Sequence, residues 1–184
     1  MDGCIALVVA AGRGMRLGGA QPKQYLPLGG KPLLRHALER LRGHGAVAAV
    51  RVVYQPDDRD LYEAAVAGLG LLDPVAGGAT RQESVRLGLE SLAALGPDRV
   101  LIHDAARPFV DAAVIDRVLA ALAQAPGAIP AVALGDTVKR GADGLVAATI
   151  DRLGLWRAQT PQGFRYDAIL AAHCASGCVS CGIE

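Results

Sequence analysis

Short apolar runs alternate with longer amphipathic segments along most of this chain. That alternation limits the folds open to it more than any other feature. Ile5 to Val9 is a continuous apolar run closed by the glycine-rich stretch Ala10 to Gly19, as expected of a strand covered on both faces. Pro32 opens a helix, its fixed φ suiting a first-turn position, and Leu33, Leu34, Ala37, Leu38 and Leu41 fall on one face of it. Val47 to Tyr54 reads as a second strand and Asp57 to Ala67 as a second helix. Leu71 to Ala76 reads as a third strand ending in Gly77-Gly78, and Thr80 with Glu83 forms a capping box for the next helix. Val100-Leu101-Ile102 is a fourth strand. Asp111 caps a helix whose buried side carries Val114, Ile115, Val118, Leu119 and Leu122, and Ala128 to Leu134 is a fifth strand.

This repetition predicts an α/β fold, doubly wound with a mostly parallel, Rossmann-like sheet. Such sheets bind ligands at the C-terminal ends of their strands. One segment breaks the winding. Thr137 to Arg140 and Leu145 to Ile150 flank Ala142-Asp143-Gly144, a hairpin signature, so a β-hairpin arm is expected over about 136–158. A short last helix begins near Tyr166.

Composition excludes several classes of function. With 184 residues the chain is one domain, or one domain and a small appendage. Its 52% apolar content supports a core. Lys and Arg number 19 against 18 Asp and Glu, so no global field favours nucleic acid or an anionic membrane. The apolar runs fall short of the roughly 20 residues of a membrane span, and Met1-Asp2-Gly3-Cys4 lacks the basic start of a signal peptide. Three of the four cysteines (Cys174, Cys178 and Cys181) crowd the last eleven residues, which is no disulfide framework. A cytoplasmic protein is expected, and any anion must be held by a local site.

Three loops carry the chemistry. The first runs from Ala10 to Gly19 and continues into Pro22-Lys23-Gln24-Tyr25. Its small residues let backbone N–H groups approach an anion, while Arg16 and Lys23 bring charge. The spacing G-x-G-x-x-x-G leaves a dinucleotide fingerprint conceivable, but Pro22 and Lys23 interrupt where that motif's helix should begin. The second loop, Gly77 to Ser84, opens onto a helix N-terminus. Either Thr80 and Glu83 only cap that helix with Arg81 solvated, or Ser84 reaches a base. The third loop, His103-Asp104-Ala105-Ala106-Arg107-Pro108, puts an acid directly after a buried strand, suited to Mg²⁺ beside a phosphate. Arg107 can contact a second phosphate bidentately. The bland alternatives are an Asp–Arg ion pair that orders the loop and a packed imidazole at His103.

Together these loops resemble the family of 2-C-methyl-D-erythritol 4-phosphate cytidylyltransferases. The resemblance rests on Ala10-Ala11-Gly12-Arg13-Gly14 with Arg16, on Pro22-Lys23-Gln24-Tyr25, on Gly77-Gly78 with Arg81 and Ser84, and on His103-Asp104-Ala105-Ala106-Arg107-Pro108. It extends through Asp136-Thr137-Val138-Lys139-Arg140, Asp151-Arg152 and Gln159-Thr160-Pro161-Gln162. It is collinear from about residue 5 to about residue 172.

The resemblance implies a reaction of CTP with the polyol phosphate that gives a CDP-alcohol and pyrophosphate. It implies that Arg16 and Lys23 are catalytic, that Ala10, Ala11, Gly12, Gly14, Gly78, Ala79 and Ser84 bind the nucleotide, and that Asp104 holds Mg²⁺. Arg107, Thr137, Arg152 and Thr160 match the pocket for the polyol phosphate. Family members exchange the hairpin region across a homodimer, so an active site built from two chains is expected. A cytidylyltransferase for another polyol phosphate, such as ribitol 5-phosphate, shares related loops and is the nearest alternative. A non-catalytic nucleotide-binding module is the alternative of another class. Some family members are fused to a cyclodiphosphate synthase.

Where the family pattern has a threonine and an acidic pair opening another helix, this chain reads Ala171-Ala172-His173-Cys174. The family's later metal-binding acid and lysine have no counterpart in the text that follows. The expectation is therefore a domain over 1–173 with an incomplete C-terminus, then an unstructured Cys-rich tail over 174–184. The tail spells C-x-x-x-C-x-x-C, but three residues after Cys181 supply no protein shell for an iron–sulfur cluster.

Overall fold

The computed structural model describes residues 3–12 and 21–175. Twelve strands are β1 (Cys4–Val9), β2 (Pro27–Leu28), β3 (Lys31–Pro32), β4 (Val47–Tyr54), β5 (Val75–Ala76), β6 (Arg99–Asp104), β7 (Gly127–Ala128), β8 (Ala131–Ala133), β9 (Val138–Ala142), β10 (Leu145–Ile150), β11 (Trp156–Ala158) and β12 (Gln162–Arg165). Five helices are α1 (Leu33–Arg42), α2 (Arg59–Val66), α3 (Arg81–Ser91), α4 (Ala112–Ala121) and α5 (Tyr166–Ala175).

A six-stranded sheet in the order β5-β4-β1-β6-β12-β7 forms the centre. β1 pairs in parallel with β4 on one side and β6 on the other, and β5 is parallel to β4. The connections after β1 and β4 lead outward on one side, and the chain then crosses back to β6. The gap between the ends of β1 and β6 is thus the topological switch point, where doubly wound sheets bind ligands.

Alternation along β1 explains the two-faced core. Cys4, Ala6 and Val8 face α1, α2 and α4, while Ile5 and Leu7 face α3 and α5. Leu7, Leu34, Leu38, Leu89 and Leu101 are fully buried. Gly88 brings α3 close to this layer: a Cβ there would lie 2.7 Å from side-chain atoms of Leu7 and Val53.

Four expectations change. The third strand is cut to Val75–Ala76, because Pro74 has no N–H to continue the ladder. The second helix starts at Arg59, after a single 3₁₀ turn over Pro56–Asp58. The fifth strand splits, since only Gly127–Ala128 joins the main sheet, and Ala131–Ala133 pairs instead with Trp156–Ala158. Gln162–Arg165 enters the sheet as a strand antiparallel to both β6 and β7.

The arm therefore runs from Ala131 to Ala158 as two successive ribbons, β8/β11 and β9/β10. The β9–β10 turn has Asp143 and Gly144 at φ 51° and 77°, the left-handed pair that suits the right-handed twist of a hairpin. The last helix extends through Ala175, so Cys174 belongs to it rather than to the tail. The rest of the tail, residues 176–184, lies outside the described residues. Among the described residues no helix is long and apolar enough to cross a membrane.

Candidate nucleotide-binding site at the sheet edge

The first loop leaves β1 through Ala10 and Ala11, which are buried, and Gly12, which is exposed. The Ala10 N–H donates to Val53 O at 2.7 Å, tying the exit of β1 to β4. Gln24, 4% exposed, donates from Nε2 to Ala10 O at 2.6 Å and to Gly12 O at 3.1 Å. One amide thus clips both approaches to the glycine loop. Gly14 and Arg16 lie outside the described residues. Lys23 opens a 3₁₀ turn over Lys23–Tyr25. Its neighbours Gln24 and Tyr25 point inward while its own side chain is exposed at the rim, with no ion-pair partner among the described residues. Tyr25 is buried, and its hydroxyl is pushed upward in pKa by burial and by nearby Asp58.

The second loop packs onto the first. A Cβ on Gly77 would stand 2.4 Å from the Ala11 Cβ, so only glycine allows this approach. Its N–H groups are spent internally. Gly77 donates to Tyr54 O at 2.8 Å, Gly78 to Ser84 Oγ at 3.1 Å and Ala79 to Glu83 Oε2 at 2.8 Å. Ser84 is 2% exposed, and its hydroxyl donates to Thr80 O at 2.9 Å. It braces the loop from beneath, which leaves the upper surface to the main chain of Gly78 and Ala79. Thr80 caps α3 by accepting from Glu83 N–H at 3.1 Å, as its spacing predicts.

The third loop gathers charge. Arg81, which the sequence alone left as solvated, reaches across to Asp104 Oδ1 at 3.0 Å. Arg107 contacts Asp104 Oδ2 at 3.1 Å and donates from Nη1 to Gln159 Oε1 at 2.7 Å. Burial works to raise the Asp104 carboxyl, but the two guanidiniums outweigh it and hold it below the usual carboxylate range. One carboxylate between two guanidiniums, with Lys23 on the same edge, leaves the rim cationic and suited to polyphosphate.

His103 is fully buried beneath this loop. Burial is the main influence on its ring and lowers its basicity. Its Nε2 lies 2.9 Å from Arg107 O and its Nδ1 lies 3.0 Å from Thr160 Oγ1. The Asp104 N–H donates to that same Thr160 oxygen at 3.3 Å.

The structure thus brings Ala10, Ala11, Gly12, Lys23, Gly78, Ala79, Ser84, Asp104, Arg107 and Thr160 to one edge. Thr137 and Arg152 stand apart on the arm. Arg152 donates to Gly135 O and borders a cleft of about 460 Å³ with Asp151 and Trp156. Among the described residues no hydrogen bond or ion pair joins either residue to the sheet edge. Gln24, Arg81, His103 and Gln159 are site residues to which the sequence assigned no role. Only their positions within the quoted motifs marked them.

The chain is similar to known proteins along most of its length. The family model described as 2-C-methyl-D-erythritol 4-phosphate cytidylyltransferase matches residues 4–181. Proteins called bifunctional enzyme IspD/IspF from Rhodospirillum rubrum and Paramagnetospirillum magneticum are 68% and 61% identical over 169 residues. Those alignments cover 91% and 92% of this chain but 44% of each relative, so the chain spans less than half their length. A 2-C-methyl-D-erythritol 4-phosphate cytidylyltransferase from Cereibacter sphaeroides is 54% identical over 170 residues, covering 91% of this chain and 75% of that protein. A crystal structure of 4-diphosphocytidyl-2C-methyl-D-erythritol synthase superposes with a TM-score of 0.82 at 37% identity, covering 95% of this chain and 80% of that one.

Proposed function

The chain belongs to the 2-C-methyl-D-erythritol 4-phosphate cytidylyltransferase family, and on that premise we propose that it transfers CMP from CTP to 2-C-methyl-D-erythritol 4-phosphate. A phosphate oxygen of the alcohol attacks the α-phosphorus of CTP. The new P–O bond forms as the bond to the β-phosphate breaks, and pyrophosphate leaves with the electron pair. No proton need be removed from the attacking oxygen. The protein's task is therefore positioning and charge stabilisation.

The observation that carries this reading is the cationic rim at the switch point, where Arg81 and Arg107 both hold Asp104 and the exposed Lys23 follows the loop that leaves β1. Lys23, with Arg16, takes up charge as the α-phosphorus is attacked. The main chain of Ala10 to Gly12, with Gly14, cradles the phosphates, and Gly78 and Ala79, braced by Ser84, face the base. Arg107 and Thr160 receive the polyol phosphate, and Thr137 and Arg152 complete that pocket from the arm of a second copy in a homodimer.

The donor set fits Mg²⁺ as a cation held largely by its substrate. Asp104 offers a single carboxylate, and among the described residues no group of three His, Cys, Asp or Glu is arranged to hold a metal. Mg²⁺ usually takes one or two carboxylates, with phosphate oxygens and waters completing its shell. When bound, it would neutralise phosphate charge beside Asp104. Arg81 and Arg107 already hold that carboxylate, and they would turn toward the phosphates. The reaction is placed in the cytoplasm.

Pyrophosphate release from CTP, assayed with each polyol phosphate, tests the reading. Turnover is expected with methylerythritol phosphate, whereas turnover only with ribitol 5-phosphate would overturn the substrate assignment. Calorimetric CTP binding without turnover on any alcohol would instead mark a nucleotide-binding module.

A further inference from the structure

The hydrogen bonds of His103 fix more than its packing. Arg107 O is a carbonyl and can only accept, so the Nε2 facing it at 2.9 Å carries the ring's proton. The ring is fully buried, and in the imidazole form a single proton at Nε2 leaves Nδ1 bare. Nδ1 is then an acceptor, and the Thr160 hydroxyl at 3.0 Å donates to it. With its proton spent there, Thr160 Oγ1 accepts the Asp104 N–H at 3.3 Å. The chain of donors has one direction, from Asp104 N–H to Thr160 to His103 to Arg107 O.

One imidazole therefore sets the spacing between two segments far apart in sequence. Arg107 lies on the loop after β6, and Thr160 lies where the arm returns to β12. Both residues receive the polyol phosphate in the reading above, and the inference rests on that reading. We infer that His103 is the positioning residue of the polyol-phosphate half of the site, holding the Arg107 loop and Thr160 in register through its two ring nitrogens. The CTP half, built on Ala10 to Gly12, Lys23 and Gly78, makes none of these bonds.

Two variants dissect the ring. His103→Asn places an amide oxygen near Nδ1, retaining an acceptor for Thr160 and losing the donor to Arg107 O. His103→Gln places an amide NH₂ near Nε2, retaining that donor and losing the acceptor. Each lost hydrogen bond corresponds to roughly a 3- to 10-fold effect. The expected result is a KM for the polyol phosphate raised by that factor in each variant, with the calorimetric Kd for CTP unchanged. Thr160→Val should cost more than His103→Gln, because it also removes the acceptor for the Asp104 N–H and a contact to the polyol phosphate. Combining the two should cost no more than Thr160→Val alone, because the bond between Thr160 and His103 is lost in either variant. A CTP affinity that falls in parallel with polyol-phosphate affinity, or additive effects of His103→Gln and Thr160→Val, would overturn the inference by reducing His103 to a general core residue.

Nitrogen-15 spectra of the wild-type ring provide a readout independent of turnover. A protonated Nε2 with bare Nδ1 supports the assignment, and the opposite or averaging tautomers refute it. Absence of wild-type turnover on any polyol phosphate would defeat the functional reading while leaving the spectra to decide the role of the ring.

Discussion

Leu7 and Leu145 are both strand leucines, yet the first is fully buried and the second is 75% exposed. The contrast separates two regions of the molecule. The β1–β4–β6 layer is covered on both faces by helices. The arm leaves Leu145, Val146, Leu153 and Trp156 exposed at 75, 67, 88 and 62%. Two-stranded ribbons are marginal in water without a covered face, and this much clustered apolar surface marks a place of contact. The core buries its own apolar faces and presents the candidate site at its edge. The arm carries Thr137 and Arg152 on ribbons whose apolar side chains stay exposed in the single chain, and the proposed homodimer would cover them.

The largest effect that would test this division belongs to the core. Leu7→Ala should cost about 2–5 kcal/mol in urea unfolding, because it opens a cavity between β1, α3 and α5; a loss below 1 kcal/mol would show that the layer is loosely packed. Next comes Lys23→Ala. The side chain is exposed, so the melting temperature should hold while kcat falls about 10²- to 10³-fold, the range for removing one group that stabilises transition-state charge. A near-normal rate would remove Lys23 from the chemistry.

A smaller effect is expected at high pH. Burial raises the Cys4 thiol to about 11, offset in part by Arg99. Because the folded value lies above the unfolded one of about 8.5, this contribution to stability is complete below that pH and is lost as pH climbs toward 11. Urea midpoints from pH 8 to 11 should therefore decline, and Cys4→Ala should flatten the decline. Native alkylation mapped by mass spectrometry should modify exposed Cys174 and spare Cys4. Smallest of all, Leu145→Ser should alter the stability of the isolated protomer by less than about 0.5 kcal/mol, while sedimentation shows weaker self-association. A loss of several kcal/mol would place the arm within the protomer's own core.

What the sequence revealed follows the same division. β1 was legible because coverage on both faces writes an unbroken apolar run, β4 and β6 from apolar runs interrupted or flanked by Arg51, Arg99 and His103, and the turn at Asp143-Gly144 from its local chemistry. β12 was not. Gln162-Gly163-Phe164-Arg165 has no alternation, and it is a strand because it fills the space between β6 and β7. Gly163 shows why: a Cβ there would stand 2.4 Å from Val118. At the site, Lys23, Asp104 and Arg107 could be read from charge and position after a strand. Gln24, Arg81 and His103 could not be assigned work, because Ala10, Gly12, Asp104 and Thr160, which they contact, lie 12 to 57 residues away and are set by tertiary packing.

The way β12 slots between β6 and β7 has one more consequence. The polypeptide departs for the arm from β7 and comes home on the adjacent strand, with Ala128 opposite Gly163. The two attachment points are therefore about one strand spacing apart, near 5 Å. Everything between them is a cassette grafted at a single seam. Outside Thr137, Arg152, Gln159 and Thr160, its residues can be exchanged without touching a hydrogen bond to the loop that carries Asp104 and Arg107.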